Sequence, residues 1–436
     1  MTSLRKVLFP VYRRLPLRWQ PPRQARAYQR LYEALQERPL SEIRDHQLAR
    51  LRALLRHAAA NVPYYVCCFE QLGFAPEEIQ SLDDLARLPL LDKATVRASR
   101  EALTARDVAQ WKPVTRTTGG STGECLQVLM SEAGQHSHHA DRLRHYRWAG
   151  YAQGDRAAFV TRLLHLMGTR ALTLYHRPRN ILYLDGNLFN AETLSVMAAR
   201  LVEFRPTMIY GAPSSIYCLC RYLCDEGIEG VRPRTIITSS EMLYDFQRDE
   251  IERFFGARVF DYYSLAEHAA AAVQCEAGSY HVSAEYTHVE IVRADGSPAL
   301  LGEVGEIVGT NLENYAMPLI RYRTGDLGAL TDEPCPCGRH LPVLRELGGR
   351  AQDLIRTLEG LAPITHSLLT FHEVPSVREL QIVQDEVYRF RVTVVAAPEY
   401  GDEDGRRVAE ILKNAIPFPI AVAVERVDAI PRTARG

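Results

Sequence analysis

The feature that most restricts the fold is an alternation of helical and strand patterns between residues 194 and 263. Leu194 to Phe204 has helical spacing, and Pro206-Thr207-Met208-Ile209-Tyr210 reads as a strand. Ser214 to Glu226 is helical, followed by the strand Thr235-Ile236-Ile237-Thr238. Phe246 to Phe255 is helical, followed by Arg258-Val259-Phe260-Asp261-Tyr262-Tyr263. Short strands separated by helices of this length predict βαβ units and a largely parallel sheet. Such sheets bind ligands beyond the carboxyl ends of their strands. The loops after Tyr210, Thr238 and Tyr263 are therefore candidate site segments.

On either side the pattern changes. Residues 27–62 read as helix with a break at Pro39, where proline cannot continue the hydrogen-bond ladder. Asp83 to Leu91 reads as a short helix and turn. Residues 132–150 read as a helix carrying His136, His138, His139, Arg142, Arg144, His145 and Arg147, and a run of charge like this predicts a solvated face. Asp155 to Val160 is a turn into a strand. After residue 280, short strands at His281-Val282, Val289 to Val292 and Gly305 to Gly309 suggest a β-rich subdomain. A further break falls at Gly348-Gly349. Beyond it come strand patterns at Val377 to Val383, Tyr388 to Val394 and Ala421 to Val424, with a helix from Gly405 to Ala415. The expected architecture is multidomain α/β: a large domain over residues 1–348 and a small, mobile α+β domain over 349–436.

Charge excludes one class of partner. Lys and Arg total 52 against 53 Asp and Glu, so no basic stripe for nucleic acid is expected. The nine cysteines are an odd number and no signal-like apolar segment opens the chain, which together predict reduced thiols in the cytoplasm. No apolar run is long enough to span a bilayer. The arm from Met1 to Arg26 interleaves seven basic residues with apolar and aromatic ones, a composition that suits an anionic membrane surface. Pro10, Pro16, Pro21 and Pro22 interrupt any long helix there and favour an arm packed on the domain. The oligomeric state is open, a homodimer included.

Thr117-Thr118-Gly119-Gly120-Ser121-Thr122-Gly123-Glu124 is a loop of hydroxyls and glycines before the strand-like Leu126 to Met130. Glycines let backbone N–H groups approach a phosphate closely, and successive N–H groups make an anion-binding concavity. The loop is not a Walker A motif, because no Gly-Lys-Ser/Thr follows at the required spacing. Asp261-Tyr262-Tyr263-Ser264-Leu265-Ala266-Glu267 places aromatics at a strand end and a carboxylate after them. Tyr322-Arg323-Thr324-Gly325-Asp326 places an Asp in a tight turn.

With Tyr210-Gly211-Ala212-Pro213-Ser214, Thr238-Ser239-Ser240-Glu241, Ala316 to Asp326, and Gly349-Arg350-Ala351-Gln352-Asp353, the chain resembles the acyl-adenylate-forming superfamily. The branch it resembles is that of phenylacetate–CoA ligase and its capsule-biosynthesis relatives. The resemblance covers nearly the whole chain and rests on several motifs in order. It implies activation of a carboxylic acid by ATP to an acyl-AMP, then transfer to a thiol, CoA, with an amine or carrier protein as the alternative acceptor. A non-catalytic nucleotide-binding relative is the third reading.

Roles are carried over from the resemblance. The glycine loop, Thr117 to Gly123, would hold the ATP phosphates, with Thr118 and Arg350 acting at the reacting groups. Ser239, Ser240 and Glu241 would line the adenine slot, and Tyr263, with Tyr262 beside it, would stack on the base. Glu267 would ligate Mg²⁺, a cation that favours carboxylate and phosphate oxygens. Asp326 would bind the ribose. Tyr210, Gly211, Ala212, Pro213, Ser264 and His268 would line the acid pocket, and the small residues Ala269 to Ala272 would leave room for the acyl group. Gln352 and Asp353 would form the hinge of the small domain.

Three departures stand out. Position 124 is Glu where many relatives carry Lys. Gln352 stands where the hinge Asp is usual. The sequence ends Ile430-Pro431-Arg432-Thr433-Ala434-Arg435-Gly436, where relatives continue with a Lys that serves adenylation.

One constellation is independent of the resemblance. Cys275 and His281 lie close in sequence, and Cys335-Pro336-Cys337-Gly338 forms a knuckle that can aim two thiolates at one point. Three thiolates and an imidazole make a closed tetrahedral set of the kind that holds structural Zn²⁺.

Overall fold

The computed structural model describes residues 23–117, 126–161, 171–186, 191–345, 347, 354–357, 360–363, 371, 374–416 and 419–430. The chain divides into two compact units. One comprises Met1–Leu243 with Glu250–Gly348, the other Tyr244–Asp249 with Gly349–Gly436.

Helices open the first unit. Pro39, with no N–H to donate, separates α1 (Arg23–Leu35) from α2 (Leu40–Asn61). After α3 (Pro63–Leu72), α4 (Lys93–Ala98) begins at Asp92, whose carboxylate accepts from the Thr95 N–H at 2.7 Å. A hairpin of β1 (Val114–Thr117) and β2 (Gln127–Met130) follows. The next helix, α5 (Glu132–Trp148), starts at Ser131, whose Oγ accepts from Gly134 N at 3.0 Å.

The expected alternation then runs its course. In chain order come β3 (Ala157–Thr161), β4 (Thr173–His176), β5 (Ile181–Asp185), α6 (Ala191–Phe204), β6 (Met208–Gly211), α7 (Pro213–Asp225), β7 (Thr235–Ser239), α8 (Asp245–Phe255) and β8 (Arg258–Ser264). Strands β5, β3, β6, β7 and β8 pair in parallel in that spatial order. Alternate residues face opposite sides and both sides are covered, as parallel sheets require. Ala158, Ile209, Ile236 and Val259 pack with α6, α7 and α8. Ala157, Met208, Ile237 and Phe260 face the other way and pack with Tyr146 of α5 and Ala149 just beyond its end. Gly211, Thr238 and Asp261 stand side by side at the carboxyl ends.

The β-rich stretch continues this sheet. Strands β9 (Ala271–Gln274), β10 (Tyr280–Val282), β11 (Thr287–Val292), β12 (Gly305–Asn311), β13 (Tyr322–Thr331) and β14 (Val343–Arg345) are all antiparallel. They extend it in the order β11-β12-β13-β14-β10-β9, and β9 pairs antiparallel with β8 to complete twelve strands.

Helix α5 corrects one expectation. Its charge run is not a solvated face: Asp141, Arg144 and His145 are all fully buried. The Arg144 guanidinium bonds Asp141 at 2.7 Å and also Glu285. Asp141 further accepts from Tyr262 Oη at 3.0 Å and Ser283 Oγ at 2.9 Å. A carboxylate on the same helix, Asp141, and one distant in sequence, Glu285, together allow the cation to be buried.

In the second unit, β15 (Leu354–Thr357) and β16 (Gly360–Pro363) form a hairpin. A three-stranded sheet joins β17 (Val377–Glu386), β18 (Arg389–Ala396) and β19 (Ala421–Val427), the last pair parallel. The helix α9 (Asp402–Ala415) crosses between β18 and β19, and its Val408, Ile411 and Leu412 close a core with Phe390, Val392 and Val394. Among the described residues no helix is long and apolar enough to cross a membrane.

Candidate active site

The loops after β6, β7 and β8 meet at one end of the sheet. Ser239 closes β7 and donates its hydroxyl to the Tyr262 carbonyl at 2.9 Å, tying two strand ends together. Glu241 accepts from the Ser214 N–H at 3.3 Å, so the loop after β7 reaches the first turn of α7 beyond Tyr210-Gly211-Ala212-Pro213. Six non-glycine residues have positive φ among the described residues, and two belong to these loops: Ser240 at 80° and His268 at 53°. Left-handed backbone in non-glycine residues is held against strain by its surroundings and clusters at functional sites.

Two phenol–carboxylate pairs follow from alternation along β8 and β13. Tyr263 Oη donates to Asp326 Oδ2 at 2.9 Å. Burial, then the Asp326 charge, holds that phenol well above the ordinary tyrosine range, so it stays a donor. Tyr322 Oη donates to Glu267 Oε1 at 2.7 Å, and both side chains are buried. A carboxylate oriented through one oxygen can offer the other to a cation such as Mg²⁺. Asp326 does not lie in the tight turn expected from the sequence: Gly325, with φ 78°, and Asp326 sit inside β13 where its pairing with β12 is irregular. Arg321 is tied down structurally: it pairs with Glu290 at 2.9 Å and donates to the Ala86 and Leu88 carbonyls. Sequence reading quoted Arg321 and Tyr322 only as part of a motif. Their partners, Glu290 and Glu267, lie too far away in sequence for spacing to reveal them.

Tyr262 points to the other face of β8. Its hydroxyl reaches Asp141 and, at 3.2 Å, His138 Nδ1, while Tyr263 beside it reaches Asp326. Ser264 is half-buried at the end of β8. His268 is buried, its carbonyl accepts from Asn311 Nδ2 at 2.8 Å, and its ring stacks on His138 at 3.7 Å between centroids. Burial first, then Arg116 and Arg142, pushes the His268 imidazole down to about 3. His138 is likewise held well below the usual range by burial, then by His268 and Arg142. The stacked pair is therefore neutral at physiological pH.

The alanine run is packed rather than open. Ala269 to Ala272 are buried, and Gly309 of β12 lies so close that a Cβ there would fall 2.5 Å from the Ala269 carbonyl oxygen. Thr117, at the end of β1, is paired with Gln127 of β2, which brackets the glycine loop. Thr118, Gly119, Gly120, Ser121, Thr122, Gly123, Arg350, Gln352 and Asp353 lie outside the described residues, as does the arm 1–22.

Away from this end of the sheet, Cys275, His281, Cys335 and Cys337 converge, with one donor atom from each lying within 4.8 Å of all the others. Cys275 Sγ is 3.6 Å from Cys335 Sγ, and Cys337 Sγ is 3.2 Å from His281 Nε2. A tetrahedral Zn²⁺ with sulfur ligands at about 2.3 Å has edges near 3.8 Å, so the set needs little adjustment. His281 Nδ1 lies 3.2 Å from the Leu341 carbonyl, a contact that places the ring proton on Nδ1 and leaves Nε2 with its lone pair toward the cluster.

No family model matches the chain. The chain is 27% identical over 350 residues to a phenylacetate-coenzyme A ligase of Thermus thermophilus, covering 74% of this chain and 73% of the relative. It is 22% identical over 424 residues to Protein CapK of Staphylococcus aureus, covering 93% and 90%. Among solved structures, 2-hydroxyisobutyryl-CoA ligase in the postadenylation state matches with a TM-score of 0.74 at 19% identity, over 96% of this chain and 93% of that one. The chain thus has the fold of 2-hydroxyisobutyryl-CoA ligase and is similar in sequence to phenylacetate-coenzyme A ligase and CapK.

Proposed function

We propose that the protein joins a carboxylic acid to CoA through an acyl-adenylate. The observation that carries this reading is the pair of phenol–carboxylate bonds, Tyr263–Asp326 and Tyr322–Glu267, at the carboxyl end of a parallel sheet. In the first half-reaction a carboxylate oxygen of the acid attacks the α-phosphorus of ATP. The bond to the β-phosphate bridging oxygen breaks and pyrophosphate leaves. In the second, the CoA sulfur attacks the acyl carbonyl and AMP leaves with its phosphate oxygens.

The residues divide the work. Asp326, fixed by Tyr263, accepts from the ribose hydroxyls. Ser239, Ser240 and Glu241 form the wall beside the adenine, on a backbone already held in its strained form. Glu267 holds Mg²⁺, which neutralises charge on the phosphate oxygens when bound. Thr117 to Gly123 supply hydroxyl and backbone donors to the phosphates, and Thr118 and Arg350 serve the reacting groups. Tyr210 to Pro213, Ser264 and His268 border the acid, and Gln352 and Asp353 serve as the hinge between half-reactions. The domain boundary at residues 348 and 349 belongs to this reading.

The test is pyrophosphate exchange into ATP across a panel of acids, followed by thioester formation with CoA. Exchange with one class of acid, and an acid-dependent thioester, is the expected result. ATP binding without exchange for any acid would leave a nucleotide-binding protein instead.

We further propose that Cys275, His281, Cys335 and Cys337 hold a structural Zn²⁺. The set is closed, with four protein ligands and a His already oriented by a carbonyl. Its work is to pin the turn after β9 and the start of β10 to the loop after β13.

A further inference from the structure

Two cations of α5 have different surroundings: Arg144 is fully buried and Arg142 is half-buried. Arg144 is paired with Asp141 and Glu285. Arg142, half a turn away, pairs with no carboxylate among the described residues. Its Nε is buried with no hydrogen-bond partner, and its Nη2 comes only within 3.5 Å of His139 Nδ1. One helical turn on, at i+4 and so on the same face, Tyr146 is 5% exposed and its hydroxyl is also buried without a partner. Buried polar groups are mostly satisfied, and these two, one helical turn apart, are free to meet the oxygens of a ligand. The enclosed part of a guanidinium is costly to leave without an acceptor.

The neighbouring side chains are aromatic, a lining that suits the body of an organic acid. The Tyr146 ring meets Tyr210, at the carboxyl end of β6, at 6.0 Å, and Tyr210 meets Phe159 of β3 at 4.9 Å. His268, after β8, is buried with Nδ1 unpartnered and is influenced by the Arg142 charge. Tyr210 and His268 are the residues already read as bordering the acid. Arg142 is thus a cation one helical turn before Tyr146, whose ring meets Tyr210.

We propose that Arg142 and Tyr146 recognise a second carboxylate at the far end of the acid, so that the substrate is a dicarboxylic acid activated at its other end. The guanidinium fork matches a carboxylate in two parallel hydrogen bonds, and the Tyr146 hydroxyl adds a donor. This rests on the reading that the site adenylates an acid, and it adds the chemical class of that acid.

The test compares matched acids in pyrophosphate exchange with the full chain: 4-carboxyphenylacetate against phenylacetate, and glutarate against butyrate. The wild-type protein is expected to prefer the dicarboxylate of each pair. Arg142→Gln is expected to lower the ratio of kcat/KM within a pair by roughly 10- to 100-fold, the range of a charged hydrogen bond. Arg142→Lys keeps charge without the fork and should fall between the two. Protection of the protein from thermal unfolding by each acid gives the same ratio without turnover. Exchange confined to acids with one carboxylate, or a ratio unchanged in Arg142→Gln, overturns the inference and leaves the activity standing. No exchange and no protection with any acid overturns both.

Discussion

Tyr322 Oη donates to Glu267 Oε1 at 2.7 Å across 55 residues of sequence, with both side chains buried. Tyr322 is the first residue of β13, and its backbone is also bridged to Leu91. The carboxylate read as the Mg²⁺ ligand is thus carried by the turn between β8 and β9 and aimed by β13.

Removing that aim should weaken the metal step. Tyr322→Phe takes away one charge-assisted hydrogen bond, and about 1.5–3 kcal/mol corresponds to roughly 10- to 100-fold. The loss should appear as a higher Mg²⁺ requirement in pyrophosphate exchange. An unchanged Mg²⁺ dependence would remove Glu267 from the metal site.

The buried ion network of α5 should dominate local stability. Arg144→Met leaves Asp141 and Glu285 as buried charges without their cation, and it is expected to cost about 3–5 kcal/mol in urea unfolding. A cost below about 1 kcal/mol would mean that Ser283 and Tyr262 alone satisfy Asp141.

Acid should destabilise the fold through its buried histidines. Burial first, and then Arg144, brings His145 down to about 3, against about 6.5 in an unfolded chain. The unfolded state therefore binds the extra proton, so this contribution is full above about pH 6.5 and is lost as the pH falls toward 3. The slope is about 1.4 kcal/mol per pH unit for each such histidine. His145→Phe should flatten the stability profile between about pH 6 and 4 by one proton. Parallel profiles for the two proteins would contradict the placement of His145 as a buried neutral ring.

Zinc should be countable. The full chain is expected to carry about one Zn²⁺, and Cys337→Ser should lose it together with part of its thermal stability. A Cys337→Ser protein with full zinc and an unchanged melting temperature would show the cluster to be a packing feature.

Local chemistry made part of this structure legible in the sequence. Period and length located β6, β7 and β8 and their helices, because both signals are confined to a dozen residues. The Cys335-Pro336-Cys337 knuckle pointed to a cluster that the fold assembles, because tight turns fix where their side chains aim. Partners across long separations were hidden. The His and Arg run of α5 read as solvated because Asp141 alone could not neutralise it, and Glu285 lies 141 residues from Arg144. The run Ala269 to Ala272 read as space because small side chains look alike in a pocket and in a crowded sheet. Gly309, 40 residues on, is what brings a strand against them. Tyr262 and Tyr263 were read together, although neighbours on a strand face opposite ways.

The order of strands also bears on how the chain is made. β10 lies between β9 and β14, so its second edge stays bare until Val343–Arg345 leave the ribosome. Some sixty residues, including all of β11, β12 and β13, emerge between Val282 and Val343. An open edge of that kind invites pairing with another chain. Nascent chains halted before Val343 should therefore bind holding chaperones, and chains released a few tens of residues later should not. The last short strand of the sheet is then the one whose arrival ends the hazardous stage of synthesis.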